Sequence, residues 1–394
     1  MKNKPLPTDG QGFLNNPKNR AIIFQAVALF LVVFFAFYFA NNMNENIESR
    51  GITTGFSFLN NTAGFGISQT LIPYDDGTST FLDVFIVGLL NTILVSVLGI
   101  IFASILGLIL GVSRLSSNFL VSKLALVYIE IFRNIPILLQ ILFWYNVVLA
   151  ALPSPRQSFA YLDSVFLNNR GLLLPEPILE NGSGFVIVSF VLAVAAVIYL
   201  VRWSRKRHDD TGQNFPIFKV SIALLILAPT LVYFIAGQPI SGEYPVLKGF
   251  NFKGGLTIIP ELLALLFALS IYTATYIAEA VRAGIESVPK GQKEAAASLG
   301  LSDYVILTKV VLPQALRVII PPVINQFLNL TKNSSLATAI GYPELVTLFS
   351  GTTLNQVGQA IEIILMTMAV YLTISIMISL LLNWVNAKMA IKGR

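Results

Sequence analysis

The stretch EAAASLGLSDYVILTKVVLP, residues 294–313, is a polar island between two apolar runs that are long enough to cross a bilayer. It follows a fixed spacing: Glu-Ala-Ala, three residues, a glycine, nine residues, an aliphatic residue, one more residue, and Leu-Pro. The residues at these positions are Glu294, Ala295, Ala296, Gly300, Val310, Leu312 and Pro313. A spacing of this length, placed between two predicted membrane spans, is more specific than an isolated Glu-Ala-Ala triplet.

Local chemistry predicts a helix, a sharp turn and a second helix in this island. Pro289 suits the first turn of a helix, and Gly300 suits the left-handed residue that ends one. Ser302 is a candidate N-cap for a second helical stretch. Pro313 cannot donate the backbone hydrogen bond that would let that stretch run on undisturbed.

The composition indicates a membrane protein with several spans. Hydrophobic residues make up 55% of the 394 residues and charged residues 12%, whereas about a quarter of a soluble domain is charged. The net charge is +6, but the basic residues fall between apolar runs, so membrane orientation explains them better than a nucleic-acid partner. The chain has no cysteine and a single histidine, His208. Disulfides and thiolate chemistry are therefore excluded, and histidine-based catalysis has little material.

A bilayer core of about 30 Å needs about 20 apolar residues per helix, and eight spans are predicted on this basis. The first is expected to be a retained anchor, because its apolar core is longer than that of a secretory signal and ends in FYFANN rather than in a cleavage site. The segments at 41–81, 153–183 and 237–255 are expected to be external loops with room for short surface helices. The predicted spans are residues 21–40, 84–112, 124–152, 184–201, 220–236, 256–278, 318–330 and 363–384.

The distribution of lysine and arginine predicts the orientation. When the spans alternate from a cytoplasmic N-terminus, most basic residues fall on the inner side. Because lysine and arginine accumulate in cytoplasmic loops, both termini and the polar island are predicted to face the cytoplasm. The basic residues left outside are Arg50, Arg156, Arg170, Lys248 and Lys253.

The 294–313 pattern resembles the signature cytoplasmic loop of the permease subunits of bacterial ABC importers, with Val310 where isoleucine is commoner. Residues 88–116, 128–140, 278–296 and 329–345 resemble the permeases for polar amino acids and opines. The eight spans and the additional material between 153 and 255 look most like general L-amino-acid permease subunits. The resemblance implies an all-α bundle of about eight transmembrane helices with the ABC importer permease core and a cytoplasmic coupling helix.

The domain division expected from this resemblance has four parts. They are residues 1–83 with the N-terminal tail, first helix and periplasmic loop; 84–152, the first part of the permease core; 153–255, inserted helices and loops; and 256–394, the second part of the core with the loop at 294–313.

The resemblance also implies a function and partners. The chain would carry L-amino acids, polar or broad in specificity, across the bacterial inner membrane into the cytoplasm. Its partners would be two copies of an ABC ATPase, a second related permease or a copy of itself, a periplasmic amino-acid-binding protein and the lipid bilayer, with no nucleic acid. No cofactor is expected in this chain, which would not be an enzyme; ATP and Mg²⁺ would belong to the ATPase. In the family this loop docks in a groove of the ATPase, so the implied coupling residues are Glu294, Ala295, Ala296, Gly300, Leu312 and Pro313.

The residues themselves leave alternatives open. No G-x-x-x-x-G-K-[ST] phosphate-binding motif is present in the sequence, so energy from ATP would need a partner. A secondary transporter or channel would be expected to show a chain of buried carboxylates or an inverted repeat, and a membrane enzyme a metal cluster or an activated nucleophile. The polar island could also be a plain solvated connector.

A polar series in the seventh span gives a hypothesis for the transport route. Asn325, Asn329 and Lys332 are predicted to lie along it, with Lys332 attracting a carboxylate. Equally, Lys332 could extend to the outer surface while the amides bind neighbouring helices. Pro321 and Pro322 are expected to interrupt the preceding helix.

Three further features have packing or electrostatic interpretations. The glycines of the second span, with small neighbours, are predicted to form a face on which another helix packs closely. Glu130 and Arg133 suit an interfacial ion pair or a gate. Glu279 and Arg282 suit the coupling machinery or a helix-end salt bridge.

Overall fold

The computed structural model describes residues 17–51 and 54–389. Helices dominate, and among the described residues seven are long and apolar enough to cross a membrane, or eight if a sharply bent pair counts as one span. The predicted all-α membrane bundle of about eight spans is therefore confirmed. In chain order the helices are α1 Pro17–Arg50, α2 Phe81–Arg114, α3 Phe119–Asn134, α4 Ile137–Phe143, α5 Ser183–Thr211, α6 Ile217–Ile235, α7 Pro260–Glu286, α8 Lys290–Ser298, α9 Asp303–Val305, α10 Leu312–Asn333, α11 Leu354–Val357 and α12 Ala360–Met389.

The centre of the bundle is α2 packed along α7, with α10 against both. A Cβ added to Gly107 would lie 2.6 Å from Cβ of Ile277, and one added to Gly111 would lie 2.9 Å from the carbonyl oxygen of Ala278. These separations are shorter than any real Cβ contact, so only glycine lets the two backbones approach this closely. The predicted small-residue face of the second span is thus a packing face.

The third predicted span is bent rather than straight. The axes of α3 and α4 differ by 100°, and Ile135 between them is extended, with φ −93° and ψ 126°. Proline disfavours helical backbone in the residue before it, and Pro136 follows Ile135. Just before the bend, Glu130 and Arg133 form an exposed ion pair of 2.9 Å, so the interfacial interpretation of these two residues is the one that the structure supports.

The seventh span is longer than predicted and breaks elsewhere. Helix α10 runs unbroken through Pro321 and Pro322, so the expected interruption at these prolines is wrong. A spanning helix tolerates proline where neighbouring elements re-satisfy the freed backbone groups. The break comes after Asn333, where a 3₁₀ segment, Ser334–Ile340, is followed by a π-helical turn, Val346–Thr353, and by α11.

Two of the segments predicted to be external loops with short surface helices carry strands instead. Strands β1 Phe159–Tyr161, β2 Val165–Asn168, β3 Gly171–Leu174 and β8 Leu256–Ile258 form an antiparallel sheet. Two two-stranded sheets accompany it: β4 Glu176–Leu179 pairs with β5 Ile240–Glu243 across the α5–α6 segment, and β6 Val246–Lys248 forms a hairpin with β7 Asn251–Lys253. We call residues 155–179 and 240–258 the β-cap.

Backbone hydrogen bonding explains why these segments are not simple loops. At φ +119°, Gly171 lets the Ile258 carbonyl oxygen come to 2.1 Å from where its Cβ would be, so β3 can pair with β8. Only glycine adopts such a conformation without strain. The sixth spanning helix consequently starts at Pro260, after a strand, and not at residue 256.

The β-cap and the polar island lie at opposite ends of the bundle. Helix α7 leaves the β-cap at Pro260 and reaches α8 after 27 residues, a length of about 40 Å at 1.5 Å per residue. By contrast, α5 and α6 pack mainly against each other beside the core. The division into four domains stays a prediction.

Candidate functional site

The polar island folds as a short helix closed by a left-handed glycine. Helix α8 follows Pro289, whose ψ of 135° keeps it outside the helix. At the other end the Gly300 N–H donates to the Ala297 carbonyl oxygen at 2.9 Å, and Gly300 has φ +76°. Nothing lies within 4 Å of a Cβ added to Gly300, so this glycine is needed for its backbone conformation and not for space.

The chain then re-enters the bundle without stopping at the Leu-Pro pair. Ser302 is extended and precedes α9, but its side chain makes no capping hydrogen bond. A π-helical turn, Ile306–Val311, joins α9 to α10. Pro313 lies in the first turn of α10, just after Leu312, and the widened turn is the disturbance expected where a proline lacks its N–H.

The α8 segment is anchored on one side and open on the other. Ala296 is 6% exposed and belongs to the same buried cluster as Ile306 and Val311. Glu294 and Ala295 are exposed. Within the described part of the chain, the Glu294 carboxylate makes no hydrogen bond or ion pair. It is therefore available to a group on another molecule.

Two large apolar side chains beside Gly300 escaped the sequence reasoning. Leu299 is 79% exposed and Tyr304 is 75% exposed. Their signal was present, because both interrupt a polar island outside the predicted spans. Both therefore add exposed apolar area to the end of the bundle that carries the Glu294 carboxylate.

The inner end of α7, which leads into α8, carries a local ion network. Arg282 lies 2.9 Å from Glu279 and 2.6 Å from Glu286, one turn away on either side. All three residues belong to α7, so the helix-end interpretation is the one the structure supports. Such pairs stabilise a helix modestly, and they leave α7 stiff where it enters the loop.

The three hypothesised route residues lie on one side of α10. Asn325, Asn329 and Lys332 are separated by four and three positions, and all are exposed in this chain. Polar and charged groups of a spanning helix face a protein interior or a water-filled cavity and not lipid. This side of α10 is accordingly suited to face a cavity or a second protein chain.

Of these three residues, the structure brings Lys332 into a cavity. The cavity has a volume of about 400 Å³ and lies between the end of α10 and α12. Asn325 and Asn329 are not part of its wall; they continue the same side of α10 toward the polar island. The wall is formed by Lys332, Ser335, Val346, Tyr371, Leu372 and Ser375.

A fully buried carboxyl group next to this cavity was also missed. Glu344 accepts hydrogen bonds from the backbone N–H groups of Val346 at 2.8 Å and Thr347 at 2.7 Å. The hydroxyls of Thr347, Thr338 and Tyr371 donate to it at 3.0, 3.3 and 3.0 Å. Glu344 thereby ties the 3₁₀ segment, the π-helical turn and α12 together, and it orients Tyr371 in the cavity wall. Its sequence signal was a lone carboxylate in the apolar run GYPEL.

Helix α2 holds the other side of this break. The Asn91 side-chain amide donates to the carbonyl oxygens of Pro343 at 2.8 Å and Gln69 at 2.9 Å. The Leu345 N–H donates to the Thr92 hydroxyl at 3.1 Å. A Cβ on Gly88 would lie 2.9 Å from Cα of Leu345. The irregular backbone after α10 is therefore packed against protein and hydrogen-bonded, as it must be at membrane depth.

The spanning helices surround an irregular segment that borders a cavity with polar groups in its wall, and a partly exposed helical loop is anchored at one end of the bundle. These features define a helical membrane transport subunit. Residues 193–391 match the family model described as "Binding-protein-dependent transport system inner membrane component". The chain belongs to this family, and the resemblance drawn from the 294–313 loop is confirmed.

Three relatives extend the match over the whole length. YhdX of Escherichia coli (strain K12) is 52% identical over 394 residues, covering 100% of both chains. The general L-amino acid transport system permease protein AapQ of Rhizobium johnstonii is 48% identical, over 99% of this chain and 98% of its own. The glutamate/glutamine/aspartate/asparagine transport system permease protein BztB of Rhodobacter capsulatus is 42% identical over 95% of each chain.

Proposed function

We propose that this chain is the membrane subunit of an ATP-binding cassette importer that carries L-amino acids, polar or broad in specificity, into the cytoplasm. Family membership and the full-length similarity to AapQ and BztB support this proposal, because those relatives are named for general L-amino acid transport and for glutamate, glutamine, aspartate and asparagine transport. The proposed partners are two ATPase subunits, a second related permease or a copy of this chain, and a periplasmic amino-acid-binding protein.

The proposed coupling device is the α8 segment with its exposed flank. Ala296 fixes α8 to the bundle, while Glu294, Ala295, Leu299 and Tyr304 remain exposed for a groove of the ATPase. The exposed flank of α8 is the single observation that most supports coupling. Since α8 is joined directly to α7 and, through α9 and the π-helical turn, to α10, a displacement of α8 is delivered to both helices. Leu312 and Pro313, at the start of α10, would transmit this motion.

The proposed route runs along the polar side of α10. Asn325, Asn329 and Lys332 would face the companion permease across a shared path, and Lys332 in its cavity would attract the carboxylate of the amino acid. An ammonium group is a compact charge suited to this role. The buried groups around Glu344 would keep the cavity wall in one arrangement.

The proposal also covers the orientation of the chain in the membrane and its lack of catalytic activity. The chain would lie in the bacterial inner membrane with both termini and α8 in the cytoplasm, as the distribution of basic residues favours. ATP hydrolysis, with the nucleotide and its Mg²⁺, is assigned to the ATPase subunits. This chain would then move substrate without being an enzyme.

The test is ATP-dependent amino acid uptake in vesicles containing this chain with its co-encoded ATPase, companion permease and binding protein. The double variant Glu294→Lys, Gly300→Pro should lose uptake and ATPase recruitment while inserting normally, because it reverses the free charge and changes the residue that closes α8. Glu45→Lys, at an exposed glutamate of α1, is the matched control.

Either of two results would contradict the proposal. If the double variant recruited the ATPase and transported like wild type, α8 would not be the coupling element. Undiminished uptake by wild type without ATP would favour a secondary transporter or channel instead.

A further inference from the structure

The basic residues of the β-cap are unusual for the side of the membrane on which they are placed. External loops are depleted of lysine and arginine, yet Arg156, Arg170, Lys248 and Lys253 all lie in the β-cap, and all four are exposed. Basic residues on the outer side oppose the predicted orientation of the chain, so orientation does not explain their presence. Their concentration on one small element requires another explanation.

The two arginines are oriented by neutral groups of the β6–β7 hairpin. Nε of Arg156 donates to the Gly249 carbonyl oxygen at 3.3 Å, and its guanidinium lies 4.0 Å from the centre of the Phe250 ring. The Arg170 guanidinium donates to the side-chain oxygen of Asn251. Neither arginine forms an ion pair with a carboxylate among the described residues, so both charges remain available to an external anion.

The lysines extend the same surface. Lys248 is paired across the hairpin with Asn251, the residue that accepts the hydrogen bond of Arg170. Lys253 is paired with Val246. The carboxyl group of Glu243 lies on the same element, close to Gly254. We call Arg156, Arg170, Lys248 and Lys253 the basic cap surface, and its two arginines carry the argument.

A small cavity opens on this surface. It has a volume of about 150 Å³, and its wall combines the polar side chains of Arg170, Asn168, Asn251 and Thr257 with the apolar side chains of Pro155, Leu173 and Phe252. Asn168 is 1% exposed, and its side chain accepts from the Arg170 N–H at 2.8 Å and donates to the Ser158 hydroxyl at 3.0 Å. The wall is thus built from fixed hydrogen-bonded groups, and the space is that of one small acidic side chain beside a guanidinium.

We propose that the basic cap surface docks an acidic face of the periplasmic binding protein, with one carboxylate side chain entering the cavity beside Arg170. This rests on the proposed function, which supplies a soluble partner on this side of the membrane. Arginine is suited to such a contact because its planar donors match a carboxylate. Complementary charge at the rim of an interface raises the rate of encounter and selects the correct partner.

The surface fits a soluble protein better than a lipid headgroup. The Arg156 guanidinium lies 4.0 Å from the centre of the Phe250 ring, and Phe250 is otherwise 74% exposed at the end of the bundle opposite α8. Inserting that ring into lipid would carry the charge with it, at a considerable cost. An exposed aromatic ring with a guanidinium stacked on it is the kind of side-chain pair that is enriched at protein–protein interfaces.

The experiment uses the complete transporter complex in nanodiscs and titrates it with the co-encoded binding protein. Binding affinity, association rate and maximal stimulated ATPase rate are measured for wild type, Arg156→Glu with Arg170→Glu, and Arg170→Lys. The charge-reversed variant should bind at least about tenfold more weakly, with slower association and a weaker salt dependence, while the maximal rate at saturation is retained. Arg170→Lys keeps the charge but loses the planar donors, so its affinity should fall between those of wild type and the charge-reversed variant. Lys219→Glu, an exposed cation at the other end of α6, is the control and should change nothing.

The outcomes separate the two proposals. Unchanged affinity in the charge-reversed variant would overturn the docking surface, as would a lost maximal rate with normal affinity. A response that appears only when anionic lipid is varied would assign the surface to lipid and also overturn it. If the wild-type complex itself showed no stimulation by the binding protein, the proposed function would fail, and not only this inference.

Discussion

Replacing Gly107 by alanine tests whether close contact between α2 and α7 holds the bundle together. Carbon atoms in good contact lie about 3.5–4.0 Å apart, whereas the new Cβ would lie 2.6 Å from Cβ of Ile277 and 3.0 Å from the Ala274 carbonyl oxygen. These atoms belong to or adjoin the backbone, so rotation of a side chain cannot relieve the clash, and α2 must move away by about 1 Å.

The cost follows from two opposing effects. Overpacking a well-packed core costs about 1–3 kcal/mol, and the better helix propensity of alanine returns at most about 1 kcal/mol. We expect a net loss of about 1–2 kcal/mol in the free energy of unfolding. When Gly111→Ala is added to Gly107→Ala, the further loss of unfolding free energy should be smaller than the loss from Gly107→Ala alone, because one outward shift of α2 relieves both clashes.

The assay is the unfolding of the purified chain in mixed detergent micelles with increasing dodecyl sulfate. Gly184→Ala in α5 is the matched control, because nothing lies within 4 Å of its added Cβ. We expect this control to match wild type or to be slightly more stable. If Gly107→Ala unfolded at the same midpoint as Gly184→Ala, the close-packing argument would be refuted.

Two further predictions concern the break after α10. In Glu344→Gln an NH2 group replaces a carboxylate oxygen that now accepts hydrogen bonds, so the free energy of unfolding should fall by about 1–3 kcal/mol. Glu180→Gln, at an exposed glutamate, should leave it unchanged in the same assay. Equal stability of the two variants would show that the buried hydrogen bonds of Glu344 are dispensable. Lys332→Ala should raise the amino acid concentration needed for half-maximal uptake, and Lys332→Arg should retain most activity because the charge is kept. Uptake by Lys332→Ala equal to wild type at subsaturating substrate would remove the carboxylate role.

Features that rest on local chemistry were predictable. Pro289 and Gly300 bounded α8 because a fixed φ and a left-handed conformation are properties of single residues. The glycines of α2 indicated a packing face because small side chains in a spanning helix allow close approach. Lys332 was found as a charge in an apolar span, although its role and those of Asn325 and Asn329 stay predictions.

Features that depend on distant partners were not predictable. The β-cap strands are short, and β3 pairs with β8 more than eighty residues away. The sequence predicted a helix break at Pro321 and Pro322, but α10 breaks after Asn333. The hydrogen bonds of Asn91 and Glu344 hold the chain after this break, and they join segments far apart in sequence. Leu299 and Tyr304 are large side chains in a polar island of the sequence, but only the fold leaves both of them exposed.

The sequence by itself determined the membrane class, the number of spans, the position of helix α8 and the family. Each depends on hydrophobic length, charge distribution or a contiguous motif, which are local along the chain. Only the tertiary structure decided where α3 and α10 end, which polar groups meet around Glu344, and that the segments carrying Arg156, Arg170, Lys248 and Lys253 meet in the β-cap. Those arrangements depend on contacts between residues distant in sequence, since buried polar groups and close backbones must satisfy one another in three dimensions.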